Sequence, residues 1–194
     1  FATVPQLYNV LYKLNEEGQN TLSIVGLAVL LSPLIILLFS KRDNMSAMQT
    51  FTMFMLIALL MGASLSSIVL VYTEASIFLA FGVTGAMFFV TSIFGYVTGR
   101  DLGSIGGLLM TALLGIIIAM VVNMFIGSEM MDYIISCVAV VVFTAMIAYD
   151  TQRIKNELSC YSSKEEINRV AIWGAFSLYL DFINLMLHIL RLLG

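Results

Sequence analysis

The sequence predicts an all-α integral membrane protein, a bundle of hydrophobic helices each long enough to cross a bilayer. Three observations predict it. Of 194 residues, 60% are hydrophobic and only 11% are charged, whereas a soluble domain carries about 25% charged residues. Mean hydropathy is +1.00, an excess too large to hide in a core, because a chain this short has much surface to cover. The apolar residues are also gathered into long runs. A run of roughly 20 residues spans a hydrocarbon layer about 30 Å thick at about 1.5 Å per residue.

Six such segments can be placed in one transmembrane domain, 1–194, at about 21–40, 47–71, 77–98, 105–126, 132–152 and 170–193. Each must be helical, since lipid offers no partner for backbone groups. The first segment, Thr21 to Ser40, contains Pro33, which membrane helices tolerate. The second carries Ala58, Gly62 and Ser66, the third Gly82 and Ala86, and the fourth Gly115 and Ala119. This four-residue spacing of small side chains is expected to mark close helix contacts. The fifth brings Ser136, Thr144, Asp150 and Thr151. In the sixth, Ser177, Asp181, Asn184, His188 and Arg191 recur at steps of 4, 3, 4 and 3, one polar stripe on one helical face. Lipid should not see that face, so it is expected to point into the bundle or a wet cavity.

The connections 41–46, 72–76, 99–104 and 127–131 are short, which makes consecutive helices antiparallel. The stretch Arg153–Arg169 reads as a long loop. Orientation follows from basic residues. Lys41, Arg42, Arg100, Arg153, Lys155, Lys164 and Arg169, seven in all, fall in the loops of one side, which is thereby assigned to the cytoplasm. The opposite loops carry Glu74, Glu129 and Asp132 instead. Residues 1–20 lack the pattern of a signal peptide. The chain opens on Phe1 rather than Met, so a preceding span is expected.

Net charge is −3, which argues against a nucleic-acid partner. Cys137 lies in a span and Cys160 in a polar loop, so no structural disulfide is expected. The single histidine and the two cysteines are scattered without metal-ligand spacing. No cofactor is expected.

Asp150 and Asp181 are the residues most in need of explanation. A carboxylate in hydrocarbon costs several kcal/mol unless it is paired, protonated or hydrated. With the fifth helix ending near 152, the two lie at different depths. If that helix runs on to about Leu158, Asp150 sinks roughly 12 Å from its end and the mismatch mostly closes. Arg153 and Lys155 would then snorkel at the interface. Two carboxyls in contact cannot both stay ionised, and the pair shares a proton. The shared proton would hold the two helices together. Its loss would part them and admit water and a cation, so high pH is expected to open the site and low pH to close it. The alternative is a structural role, with the aspartates capping backbone groups or pairing with arginines.

Other polar residues are weaker candidates. Arg42 is either a positive-inside anchor or a gate partner for an acidic group. Glu74 could gather cations at the outer mouth or be a solvated loop residue. Asn123 could line a cavity or bond across helices, and His188 is expected as a structural polar contact more than a proton carrier. Asp101 is read as a helix-start residue, and Trp173 and Tyr149 as interface or packing aromatics. An enzyme is not expected. An intramembrane aspartyl protease also uses two aspartates on neighbouring helices, and Tyr149–Asp150 supplies one motif. The LYLD at 178–181 lacks the Gly-x-Gly-Asp of the other.

Three stretches, GYVTGRDLGSIG at 95–106, AYDTQRIK at 148–155 and SLYLDFINLMLHILRLLG at 177–194, resemble the Bax inhibitor-1 family, most closely its bacterial branch. The resemblance covers nearly all of 21–194. It implies a bundle of seven helices around a central C-terminal helix, with the family's first helix wholly or mostly missing from this chain. It further implies a pH-sensitive calcium leak whose di-aspartyl sensor falls on Asp150 and Asp181, with an arginine latch falling most closely on Arg42. Calcium would be the transported ion, held transiently by Asp150 and Asp181, with Ser177, Asn184, His188, Asn123 and Glu74 as candidate pathway lining. The alternatives are a cation/proton exchanger and a regulatory protein that binds other membrane proteins. The expected partners are calcium, protons and the lipid bilayer. A monomer is expected, in a bacterial inner membrane, or in the endoplasmic reticulum for a eukaryotic chain.

Overall fold

The computed structural model describes residues 12–14, 20–22, 45–65, 68 and 72–194. They fall into two units that divide between Thr73 and Glu74.

In the first unit, β1 (Tyr12–Leu14) and β2 (Asn20–Leu22) form an antiparallel pair with Lys13 opposite Thr21. Thr21 and Leu22 therefore belong to a strand, not to the head of the expected first helix, and 23–40 lie outside the described residues. Helix α1 (Ala47–Leu65) starts on a reciprocal cap. The Gln49 N–H donates to Ser46 Oγ at 3.2 Å, and the Ser46 N–H donates to Gln49 Oε1 at 2.9 Å.

The second unit holds four helices, α2 (Glu74–Val97), α3 (Gly103–Ile126), α4 (Glu129–Leu158) and α5 (Lys164–Leu193), all long and apolar enough to cross a membrane. Their ends follow local chemistry. Glu74 sits in the first turn of α2, where the helix dipole favours an acid. The Gly103 N–H at the head of α3 donates to Asp101 Oδ1 at 2.8 Å, although the cap position itself is Leu102, which offers no side-chain bond. Gly127 ends α3 at φ 68°, a left-handed conformation open to glycine. Ser128 then caps α4 by accepting from the Met131 N–H at 3.3 Å.

The expected long loop at Arg153–Arg169 is not there. Helix α4 runs to Leu158 and α5 begins at Lys164, so the link shrinks to Ser159–Ser163. Each of these 30-residue helices is about 45 Å long, well beyond a hydrocarbon core of about 30 Å. Their polar ends therefore project as helix into the headgroup layer, where charged side chains carry no cost.

Helix α4 is the hub of this unit, packing against α2, α3 and α5. Phe143, Ile147, Ala148, Phe176, Leu185 and Ile189 are buried at its contacts, while Phe78, Phe89, Leu108, Met124 and Phe125 stand exposed, as lipid-facing residues should. The closest backbone approaches differ from those expected. Among the described residues, Gly82 and Gly115 have nothing within 4 Å of an added Cβ, and neither does Gly62 in the first unit. The close contacts among the described residues are at Gly95 against the Ala148 backbone, Gly106 against the Tyr149 ring and Gly174 against Ile154. Small residues at regular spacing permit an approach, but which face meets a neighbour is set by the bulky residues around them.

Candidate functional site

Asp150 is 3% exposed and Asp181 is 4% exposed, each on a helix that is otherwise chiefly apolar at that level. Extension of α4 to Leu158 brings Asp150 to the depth of Asp181, and the two carboxyls face each other within hydrogen-bonding range. The juxtaposition expected from the sequence is present.

A third charged group completes the site. Arg153 lies one turn after Asp150, and its Nη1 is 3.3 Å from Asp150 Oδ1. Its Nη2 donates to Ser177 Oγ at 3.2 Å, joining α4 to α5. Ser177 sits one turn before Asp181 and also bonds the Asp150 carboxyl. The guanidinium carbon stands 5.7 Å from the centre of the Tyr149 ring, within cation–π range. Arg153 is thus more than the interfacial anchor the sequence suggested. With both acids ionised the site carries one net negative charge, and a single proton makes it neutral.

The bonding is incomplete. Asp150 Oδ1, Asp181 Oδ2 and Arg153 Nε are buried without a hydrogen bond, although Asp150 Oδ1 keeps its ion-pair contact to Arg153. A two-pronged arginine–carboxylate pair would be stronger and more rigid. This one is single-pronged and off-axis.

The remaining candidates do not converge here. His188 is buried against Ser136, Nδ1 to Oγ 3.3 Å, and stacks on Phe143 with ring centres 6.0 Å apart. This is a structural contact farther along α5. The Asn184 amide donates to the Leu180 carbonyl of its own helix at 2.8 Å. Asn123 closes the α3–α4 turn, donating to the Ser128 carbonyl at 3.0 Å and to Asp132 Oδ1 at 2.8 Å. These bonds hold it in that turn. Of the polar stripe on α5, only Ser177 and Asp181 reach the carboxyl site. Glu74 is exposed at the head of α2. Arg42 lies outside the described residues.

Gln152 was not singled out by the sequence. Its Nε2 donates to the Arg100 carbonyl at 2.8 Å, and its Oε1 accepts from the Leu102 N–H at 2.8 Å. One buried amide therefore ties the α2–α3 turn to the turn of α4 that carries Asp150 and Arg153. Lys155 adds a bond to the Tyr96 carbonyl at 2.7 Å.

Among the described residues no group of three or more His, Cys, Asp or Glu side chains could hold a metal ion. Two carboxylates fall far short of the roughly 6–8 oxygens of a tight calcium site. The arrangement suits brief attraction of a cation and the exchange of a proton.

The whole chain can be compared with known proteins. Residues 3–194 match the family described as inhibitor of apoptosis-promoting Bax1. The inner membrane protein YbhL of Escherichia coli is 41% identical over 177 residues, covering 90% of this chain and 76% of that protein. An uncharacterized protein of Borreliella burgdorferi is 39% identical over 176 residues, 90% of this chain and 76% of its own length. One from Rickettsia prowazekii is 39% identical over 171 residues, 87% of this chain and 72% of its own length.

Proposed function

This chain belongs to the Bax inhibitor-1 family, and from that premise we propose that it is a calcium leak channel of a bacterial inner membrane, gated by a proton that Asp150 and Asp181 share. The observation that carries this reading is the buried meeting of two carboxyls with one guanidinium. In the closed form the shared proton neutralises the site and bridges α4 to α5. In the open form the pair is fully ionised, its acids repel each other, and the gap becomes attractive to water and a divalent cation. The closed form thus holds one proton more than the open form, so acid favours closure and alkali favours opening. Among the described residues, the charged group facing the pair is Arg153. Calcium follows from the family resemblance and from the hard oxygen ligands on offer.

The reading is transport without covalent chemistry. An aspartyl protease needs its two carboxyls to hold a water between them, and a guanidinium in contact with Asp150 competes for that place. An exchanger would use the same carboxyls, and a regulatory protein would need none of this titration. Purified protein in liposomes loaded with a calcium-sensitive dye, read from about pH 6 to about pH 8, separates the three. Influx that rises with pH and ignores the direction of the proton gradient supports the channel. Influx that requires an opposing proton gradient replaces it with an exchanger, and folded protein without any influx replaces it with a partner-binding role.

A further inference from the structure

Between the α2–α3 turn and the cytoplasmic end of α4 lies a cleft of about 350 Å³. Its walls include Asp101, Tyr149, Asn156, Glu157 and Cys160, and Arg153 forms part of them. Asp150 is turned about 100° round α4 from the cleft-lining Tyr149, on the side that meets Asp181 of α5. Among the described residues, Arg153 is the one side chain that both lines this cleft and touches the pair. Its side chain lines the cleft, and its guanidinium contacts the Tyr149 ring, Asp150 and Ser177. A cation passing from the cleft to the carboxyls would have to take the place of that guanidinium.

The way the guanidinium is held suits a part that leaves. It makes one off-axis contact to Asp150 and one bond to a neutral hydroxyl, and its Nε is buried without a partner. An arginine fixed for stability would be expected to bind the carboxylate with both prongs. The cleft itself carries the carboxylates of Asp101 and Glu157 at the end that the basic residues assign to the cytoplasm.

We propose that Arg153 is a tethered cation that plugs the passage between this cleft and the Asp150–Asp181 pair, and that the cleft is the cytoplasmic mouth of the pathway. This rests on the leak-channel reading and adds a route and a plug to it. The charged groups around the plug are Asp150 and Asp181 on α4 and α5, Asp101 before α3, and Glu157 on α4.

The test uses the full chain in liposomes with the same calcium dye. Its first arm is Arg153→Gln, which keeps a polar side chain and removes the cation. At acid pH, where the wild type is closed, influx should rise at least threefold. A merely structural counterion would lower the melting temperature of the purified protein and leave acid influx at the wild-type level. The second arm needs no change at Arg153. Cys160 is exposed on the cleft wall, so a bulky cationic methanethiosulfonate should cut alkaline influx by more than half in a Cys137→Ser background. The same reagent should do nothing to Cys137→Ser/Cys160→Ser. Should Arg153→Gln misfold, the thiol arm decides alone. Unchanged acid influx in a folded Arg153→Gln, or unchanged alkaline influx after complete labelling of Cys160, overturns the plug and its mouth while leaving the leak in place. A folded wild type that passes no calcium at any pH overturns the leak reading, and the plug falls with it.

Discussion

Replacing Asp181 with asparagine changes the charge count of the site by one and nearly nothing in its shape. In the wild type two carboxylates face one guanidinium, and one proton is needed for neutrality. In Asp181→Asn the Asp150 carboxylate and Arg153 already balance, so closure requires no proton. The wild-type equilibrium between closed and open forms should shift by one proton, which is about 1.4 kcal/mol, or tenfold, per pH unit. From about pH 6 to about pH 8 that permits up to a hundredfold change in influx, less where the open fraction saturates. The variant should show a flat profile near the acid level of the wild type. The assay is initial calcium influx into proteoliposomes buffered equally on both sides, with the melting temperature as a control for folding. Asp150→Asn should also lose the pH response, but it leaves Arg153 without its nearer partner and so should melt lower than Asp181→Asn. A folded Asp181→Asn that keeps the wild-type slope would show that the titrating group lies elsewhere and would end the shared-proton argument.

Three further outcomes follow from the packing. Gln152→Leu strands the Leu102 N–H and the Arg100 carbonyl, and should cost about 2–4 kcal/mol in detergent unfolding; an unchanged melting curve would deny the clamp its role. Gly95→Ala drives a Cβ into the Ala148 backbone and should cost about 1–3 kcal/mol. Gly82→Ala meets nothing within 4 Å among the described residues, and it should be neutral or gain up to about 1 kcal/mol from helix propensity; equal effects at both positions would refute the assigned contacts. His188→Leu removes the bond to Ser136 and should cost about 1 kcal/mol while leaving the pH profile of influx intact; a flattened profile would return His188 to the titrating site.

The last four of the six expected spans were legible because lipid leaves helix as the one solution for a long apolar run. The two aspartates were legible because a buried acid has no cheap explanation. What the sequence hid has physical causes. Charged residues beyond Gln152 read as loop, yet α4 continues through them to Leu158, because a helix needs no apolar face once it leaves the hydrocarbon. Arg153 was counted among the cytoplasmic basic residues, although its i, i+3 spacing from Asp150 was a signal that it could pair. Gln152 bonds two backbone groups about fifty residues away, and such a clamp leaves no periodic trace. Among the described residues, Gly95, Gly106 and Gly174 make the close approaches, while an added Cβ at Gly82 or Gly115 meets nothing within 4 Å.

The Gly174–Ile154 contact has a mechanical meaning. There α5 comes so near α4 that an added Cβ would lie 2.7 Å from Ile154 Cγ1. Asp181 stands seven residues farther along α5, roughly 10 Å by helical rise. Under the proposed gating the contact would serve as a fulcrum and the intervening two turns as a lever arm. Rocking α5 by about 10° over this point swings the Asp181 carboxyl by roughly 2 Å, on the order of the gap between a hydrogen-bonded pair and one with room for water. Meanwhile the Gln152 clamp keeps the α2–α3 turn riding with α4, so such a rocking motion parts the acids without unpacking the rest of the unit.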